Sequence, residues 1–204
     1  MPLLIIDTSH SQHFVIVSRD PSHWVGKLSQ CPPRDSAATL LGNIDKCLKS
    51  ANLDYVDIDA IILATGPGSM TSLRTGISAA QGISMAMEVP VIPIPTLKFY
   101  QYGLKEMNQE LHSVVVMDGR SQQVFIDKGG DSQMEKIPLA DLDDIGRESI
   151  YVAGQWPYFQ VDSDQLIHQE KMLPLLARGA WDIFSQMPKV DPSQVQAIYM
   201  RSAV

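Results

Sequence analysis

The sequence predicts an α/β fold in two lobes, and three observations predict it. Short apolar runs at 3–6 and 58–64, the second broken only by Asp59, have the character of strands buried on both faces. Between them, Leu40, Leu41, Ile44, Cys47 and Leu48 recur at helical spacing. A β-β unit also occurs twice. Asp7 and Phe14 are seven residues apart, as are Asp118 and Phe125, and the common offset of 111 also aligns Gln12 with Gln123. Each copy opens one lobe, which places the lobes at 1–108 and 109–204.

The elements follow in order. The strand at 3–6 ends at Asp7-Thr8-Ser9, and a second strand-like segment covers 14–18. Pro32-Pro33, with Asp35 or Ser36, supplies the start signal for a helix over 37–51. The strand at 58–64 is closed by the turn Gly66-Pro67-Gly68, after which Ser69 caps a helix running to about Met87. A short strand at 90–94 and a helix over 96–107 complete the first half. In the second half a strand at 114–117 ends at Asp118-Gly119-Arg120, with a hairpin partner at 124–127. Further short strands are expected at 137–142, 150–153 and 198–200. The main helix spans 170–187, where Pro174 is placed to break or kink it.

Bulk properties narrow the function. At 45% hydrophobic and 19% charged residues, the 204-residue chain can build a core without staples. Its net charge is −7 with Lys and Arg scattered, so the basic footprint of a protein that grips nucleic acid unaided is missing. Cys31 and Cys47 form no spacing motif. No basic segment precedes the first apolar run, which is too short for a signal peptide or membrane span. The expectation is a cytosolic protein in a reducing compartment, with no membrane association. No two of the five histidines stand four apart, which excludes HxxxH and HExxH metal helices, and GxSxG is absent. No metal, cofactor or catalytic residue is therefore expected.

Two features could still carry function. A strand ending in Asp and small hydroxyl residues is how the actin-like and sugar-kinase-like ATPases begin. This makes Asp7, Thr8, Ser9, Asp118 and Gly119 candidates for a nucleotide cleft. The first loop lacks the glycine that lets backbone approach phosphate. The plainer reading, which we favour, has Asp7 ending its strand and accepting nearby N–H groups. The turn at 66–69 lacks the lysine and spacing of a P-loop. In the helix after it, Ser72, Gly76, Ala80 and Ser84 form a small-residue seam at four-residue steps, with Leu73, Ile77 and Met87 beside it. The seam packs either on the protein's own sheet or against another chain. In the second case Leu40, Leu41, Ile44 and Leu48 of the neighbouring helix complete the surface with Ser72, Leu73, Gly76, Ile77, Ala80 and Ser84.

Residues 65–76, reading Thr-Gly-Pro-Gly-Ser-Met-Thr-Ser-Leu-Arg-Thr-Gly, closely resemble the signature of the TsaB/YeaZ family. The similarity continues through Ala79-Ala80-Gln81-Gly82 to Pro90-Val91. It also takes in Ile5-Ile6-Asp7-Thr8-Ser9, Leu40-Leu41, Asp118-Gly119-Arg120 with Val124-Phe125, and Tyr199-Met200-Arg201. Met70 stands in place of an aromatic, Ser72 in place of a glycine, and Asp35 in place of a histidine. The resemblance implies an actin-like fold of two ribonuclease-H-like lobes with a degenerate nucleotide site. It also implies a non-catalytic accessory subunit whose helices at 37–51 and 69–87 join those of the paralogous TsaD in a four-helix bundle. With the ATPase TsaE, that complex transfers a threonylcarbamoyl group to the adenosine beside the tRNA anticodon. The chain would meet tRNA only through the complex, and a homodimer of the isolated chain is left open. The rival reading is a small ATP-binding phosphotransferase using Asp7 and Asp118. Nothing in the sequence supports peptidase chemistry.

Overall fold

The apolar run Leu3–Asp7 forms strand β1, buried along its whole length because strands flank both its edges and helices cover both its faces. The computed structural model describes residues 1–10, 12–30, 36–106, 114–119, 121–130, 133–144, 150–153 and 169–198. Strand β1 pairs antiparallel with β2 (Gln12–Asp20). It pairs parallel with β4 (Ala60–Ala64). With β3 (His23–Gln30) and β5 (Val91–Ile94) at the edges, the sheet order is β3-β2-β1-β4-β5. The second sheet repeats this plan. There β6 (Val114–Asp118) pairs antiparallel with β7 (Gln123–Asp127) and parallel with β9 (Ile150–Ala153). Adding β8 (Glu135–Pro138), its order is β8-β7-β6-β9. The repeat seen in the sequence is thus a repeated topology.

The two hairpins differ in register by one residue. Asp7 lies opposite Phe14, whereas Asp118 lies opposite Val124 and Phe125 opposite Met117. The pairing counterpart of Phe14 is therefore Val124, and the Phe14–Phe125 match of the offset is corrected by one position.

Helices α1 (Ser36–Ser50) and α2 (Met70–Met87) cover one face of the first sheet. They share a core with Leu4, Ile6, Val15, Val17, Ile61 and Leu63. Helices α3 (Thr96–Lys105) and α4 (Gln169–Gln186) cover the opposite face. There Leu3, Ile5 and Phe14 join Tyr100 and Leu176, and the same cluster holds Val115, Met117 and Phe125 of the second sheet. Strand alternation sends neighbouring residues of β1 into these two cores. The α3–α4 layer links the lobes through one continuous core.

Four expectations change. Strand β3 was not anticipated, because its side chains are half-exposed along most of the strand and show no clean alternation. The segment expected as a strand at 137–142 is mostly a 3-10 turn, Leu139–Asp144, with β8 ending at Pro138. Ile198 lies outside any strand but donates its N–H to the Thr65 carbonyl at 2.7 Å, and residues 199–200 lie outside the described residues. Pro174 does not interrupt α4. Burial of Met172, Leu175 and Leu176 offsets the backbone hydrogen bond a proline cannot make. Among the described residues no helix is long and apolar enough to cross a membrane.

Candidate functional site

The inner face of α2 consists of Leu73, Gly76, Ile77, Ala80, Ile83 and Ser84, all buried. A Cβ on Gly76 would stand 2.3 Å from Thr8 Oγ1, and that hydroxyl donates to the Ser72 carbonyl at 2.7 Å. Farther along, the Ser84 hydroxyl donates to the Val89 carbonyl. The start of the small-residue seam therefore closes on the chain's own β1 end, and the missing side chain of Gly76 makes room for Thr8. Leu73, Gly76, Ile77, Ala80 and Ser84, expected at a partner interface, are buried within this chain. Leu40, Ile44 and Leu48 are likewise buried, between α1 and the sheet. Of the ten residues, Leu41 is exposed and Ser72 half-exposed.

The outer face of the helix pair has a different character. Arg74, Ser78 and Gly82 follow one another at four-residue steps on α2, with Thr71 and Met85 beside them, all exposed. A groove between α1 and α2 is lined by Ala37, Leu41, Met70, Thr71, Arg74 and Ser78, among others. Leu41, Met70 and Met85 keep 44%, 50% and 72% of their surfaces in solvent. A Cβ on Gly42 or Gly82 would meet nothing within 4 Å. Glycine inside a helix costs about 1 kcal/mol relative to alanine, and here no contact among the described residues requires it. The sequence held two stripes on α2 with the same four-residue step, Ser72–Ser84 made of small residues and Arg74–Gly82 headed by an arginine. Only the position of the sheet distinguishes the inner one from the outer.

The cleft candidates form a closed cluster. Asp7 is fully buried. Its Oδ1 accepts the Ser9 N–H at 2.8 Å, and its Oδ2 accepts the Tyr100 hydroxyl at 2.6 Å. The Ser9 hydroxyl lies 2.8 Å from His10 Nδ1, the same ring nitrogen that approaches Asp7 Oδ2 at 3.7 Å. The Ser9 hydroxyl also stands 3.4 Å from His10 Nε2, and both Asp7 carboxylate oxygens accept donors from within the chain. Burial lowers the pKa of His10, and the Asp7 carboxylate opposes that shift. The Gly66–Ser69 turn lies over the loop. A Cβ on Gly68 would stand 2.4 Å from the Ser9 carbonyl oxygen, which accepts the Ser69 N–H at 2.8 Å.

Asp118 and Gly119 do not complete this cluster. Strand alternation places Asp7 with Leu3 and Ile5 on the face toward α3 and α4. It places Asp118 with Val114 and Val116, whose core is that of Val124, Ile126 and Leu142. The aspartates thus serve opposite sheet faces, Asp7 buried and Asp118 exposed. The Gly119 N–H is used within its own hairpin, donating to the Gln123 carbonyl at 2.9 Å. Among the described residues, Asp7 and Asp118 do not converge on one point that a metal-bound phosphate could occupy. Among the described residues no group of three or more His, Cys, Asp or Glu could hold a metal ion. Arg120 and 199–201 lie outside the described residues.

Comparison with known proteins agrees with this geometry. The family model described as TsaD, tRNA N6-adenosine threonylcarbamoyltransferase, matches residues 32–174. The tRNA threonylcarbamoyladenosine biosynthesis protein TsaB of Haemophilus influenzae is 31% identical over 126 residues, 61% of this chain and 52% of that protein. Its counterpart in Escherichia coli is 29% identical over 125 residues, 61% of this chain and 53% of that protein. The chain spans about half the length of these curated relatives. A Pseudomonas aeruginosa crystal structure, described as an uncharacterized protein with similarity to peptidase YEAZ, superposes with TM-score 0.74 at 22% identity. The match covers 98% of this chain and 99% of that one. That likeness carries the fold, an actin-like arrangement of ribonuclease-H-like lobes.

Proposed function

The chain belongs to the TsaD family on its TsaB/YeaZ branch, and on that premise we propose that it is a non-catalytic subunit that binds and activates a TsaD-type enzyme. The reaction served is threonylcarbamoyl transfer to the adenosine beside the tRNA anticodon. The observation that carries this reading is the outer face of α1 and α2. It exposes Leu41, Met70 and Met85 and holds two helix glycines with open space above them. Such a surface accepts a second pair of helices at close range. The closed Asp7 cluster supports the non-catalytic part of the reading, since its polar atoms are used within the chain. The TsaE-type ATPase and tRNA would then be engaged by the assembled complex.

The test is co-purification of the full chain with the TsaD-type enzyme of the same genome, followed by tRNA modification with and without it. A stable complex and a rate that depends on the chain are expected. An enzyme equally active without it would overturn the proposal. The phosphotransferase alternative predicts nucleotide binding by the isolated chain, and calorimetric titration with ATP and Mg²⁺ distinguishes the two.

A further inference from the structure

The α1–α2 groove contains a cation, Arg74, that no described acidic side chain pairs with. Arg74 is exposed on α2 and, among the described residues, is the only charged one lining the groove, beside Ala37, Leu41, Met70, Thr71 and Ser78. Among the described residues it takes part in no ion pair. The exposed acid of α1, Asp45, is not part of the lining and already accepts the Tyr55 hydroxyl at 2.6 Å.

From this asymmetry we infer that the groove selects a partner helix bearing a carboxylate that pairs with Arg74, in preference to a second copy of this chain. The inference rests on the partner-binding reading above and adds the partner's chemistry. A partner helix crossing above Gly82 would cover Arg74, two turns earlier on the same stripe. A guanidinium covered without an anion opposes association, whereas a carboxylate placed to accept its planar fork of donors favours it. Two copies related by a two-fold axis would set the same patch against itself. Arg74 would then face a groove whose described lining offers no acid. Charge complementarity thus favours an acidic heterologous helix, and the apolar lining supplies the contact area around the pair.

The experiment titrates the full chain with its TsaD-type enzyme at low and high salt and measures self-association by sedimentation. It uses the wild type, Arg74→Gln and Arg74→Glu. Because Arg74 is exposed, both variants should keep the wild-type melting temperature. Charge reversal should weaken enzyme binding by more than about tenfold, with the glutamine variant in between. Wild-type binding should weaken as salt rises, and the glutamine variant should respond less. Self-association of the wild type should be weaker than enzyme binding. If the wild type binds the enzyme and Arg74→Glu binds equally well, the carboxylate partner is refuted while the helix-face reading stands. Self-association as tight as enzyme binding, unchanged in Arg74→Glu, refutes the selectivity. A wild type that binds no enzyme refutes the partner reading and this inference with it.

Discussion

Gly76 and Thr8 meet so closely that a methyl group at position 76 would stand 2.3 Å from the threonine hydroxyl oxygen. That hydroxyl is also tied to α2 by its hydrogen bond to the Ser72 carbonyl. The contact joins the end of β1 to the helix that follows β4, and it consumes the seam that an interface would otherwise have used.

Gly76→Leu is therefore expected to destabilise the fold. Overpacking a tight contact costs about 1–3 kcal/mol, and each kcal/mol lowers Tm by about 2–4 °C at this chain length. Thermal melts check this directly. Gly76→Ala combined with Thr8→Ala should be less harmful than the sum of the single changes, because the pair shares one contact. Additive effects would place the clash elsewhere.

Gly82→Leu should behave in the opposite way. A Cβ there meets nothing within 4 Å, and replacing a helix-interior glycine gains up to about 1 kcal/mol of helix propensity. Tm is expected to hold or rise while affinity for the TsaD-type enzyme falls. Unchanged affinity would move the docking surface away from the outer face of α2.

Tyr100→Phe isolates the Asp7 cluster. The substitution removes the hydroxyl that reaches Asp7 Oδ2 at 2.6 Å and leaves a buried carboxylate oxygen without that donor. A loss of about 1–3 kcal/mol is expected, read from denaturant unfolding. A variant as stable as the wild type would show that the carboxylate does not depend on Tyr100.

His10 and His13 set a pH dependence. Burial lowers both pKa values from 6.5, with the Asp7 carboxylate opposing; for His13, the neighbouring His10 adds to the lowering. The folded state therefore favours neutral rings, and below pH 6.5 the unfolded chain binds protons first. Stability should be unaffected by these groups above that value and decline below it, by at most about 1.4 kcal/mol per pH unit for each ring. Unfolding free energies measured from pH 5 to 8 check the direction, and His13→Gln should flatten the slope by up to one proton.

Cys47 should be chemically silent. Burial pushes its thiol up to about 11, although Lys27 acts in the other direction, and the group is buried in the α1 core. Labelling with a thiol reagent at neutral pH followed by mass mapping should find Cys47 modified only after denaturation.

Much of this architecture was already legible in the chain. Continuous apolar runs mark β1, β4 and β6 because strands covered on both faces have no polar side to display. The Asp7–Phe14 and Asp118–Phe125 spacings revealed the duplicated hairpin, since strand order is local. What those spacings could not carry was the single-residue register difference. That difference places Asp7 in the core beneath Tyr100 and Asp118 on the opposite sheet face. Strand β3 was hidden for a related reason: a half-exposed edge strand shows little of the alternation that marks its neighbours.

The sequence by itself determined that α2 carries small residues at four-residue steps and that α1 lies ready to pair with it. It could not determine which side of α2 meets the sheet. Two stripes with that step run along the helix, Ser72–Ser84 and Arg74–Gly82, and helical periodicity fixes their spacing but not their rotation about the axis. Tertiary packing made the choice. Thr8 enters beside Gly76 and turns the Ser72–Ser84 stripe inward, which leaves Arg74, Ser78 and Gly82 facing solvent.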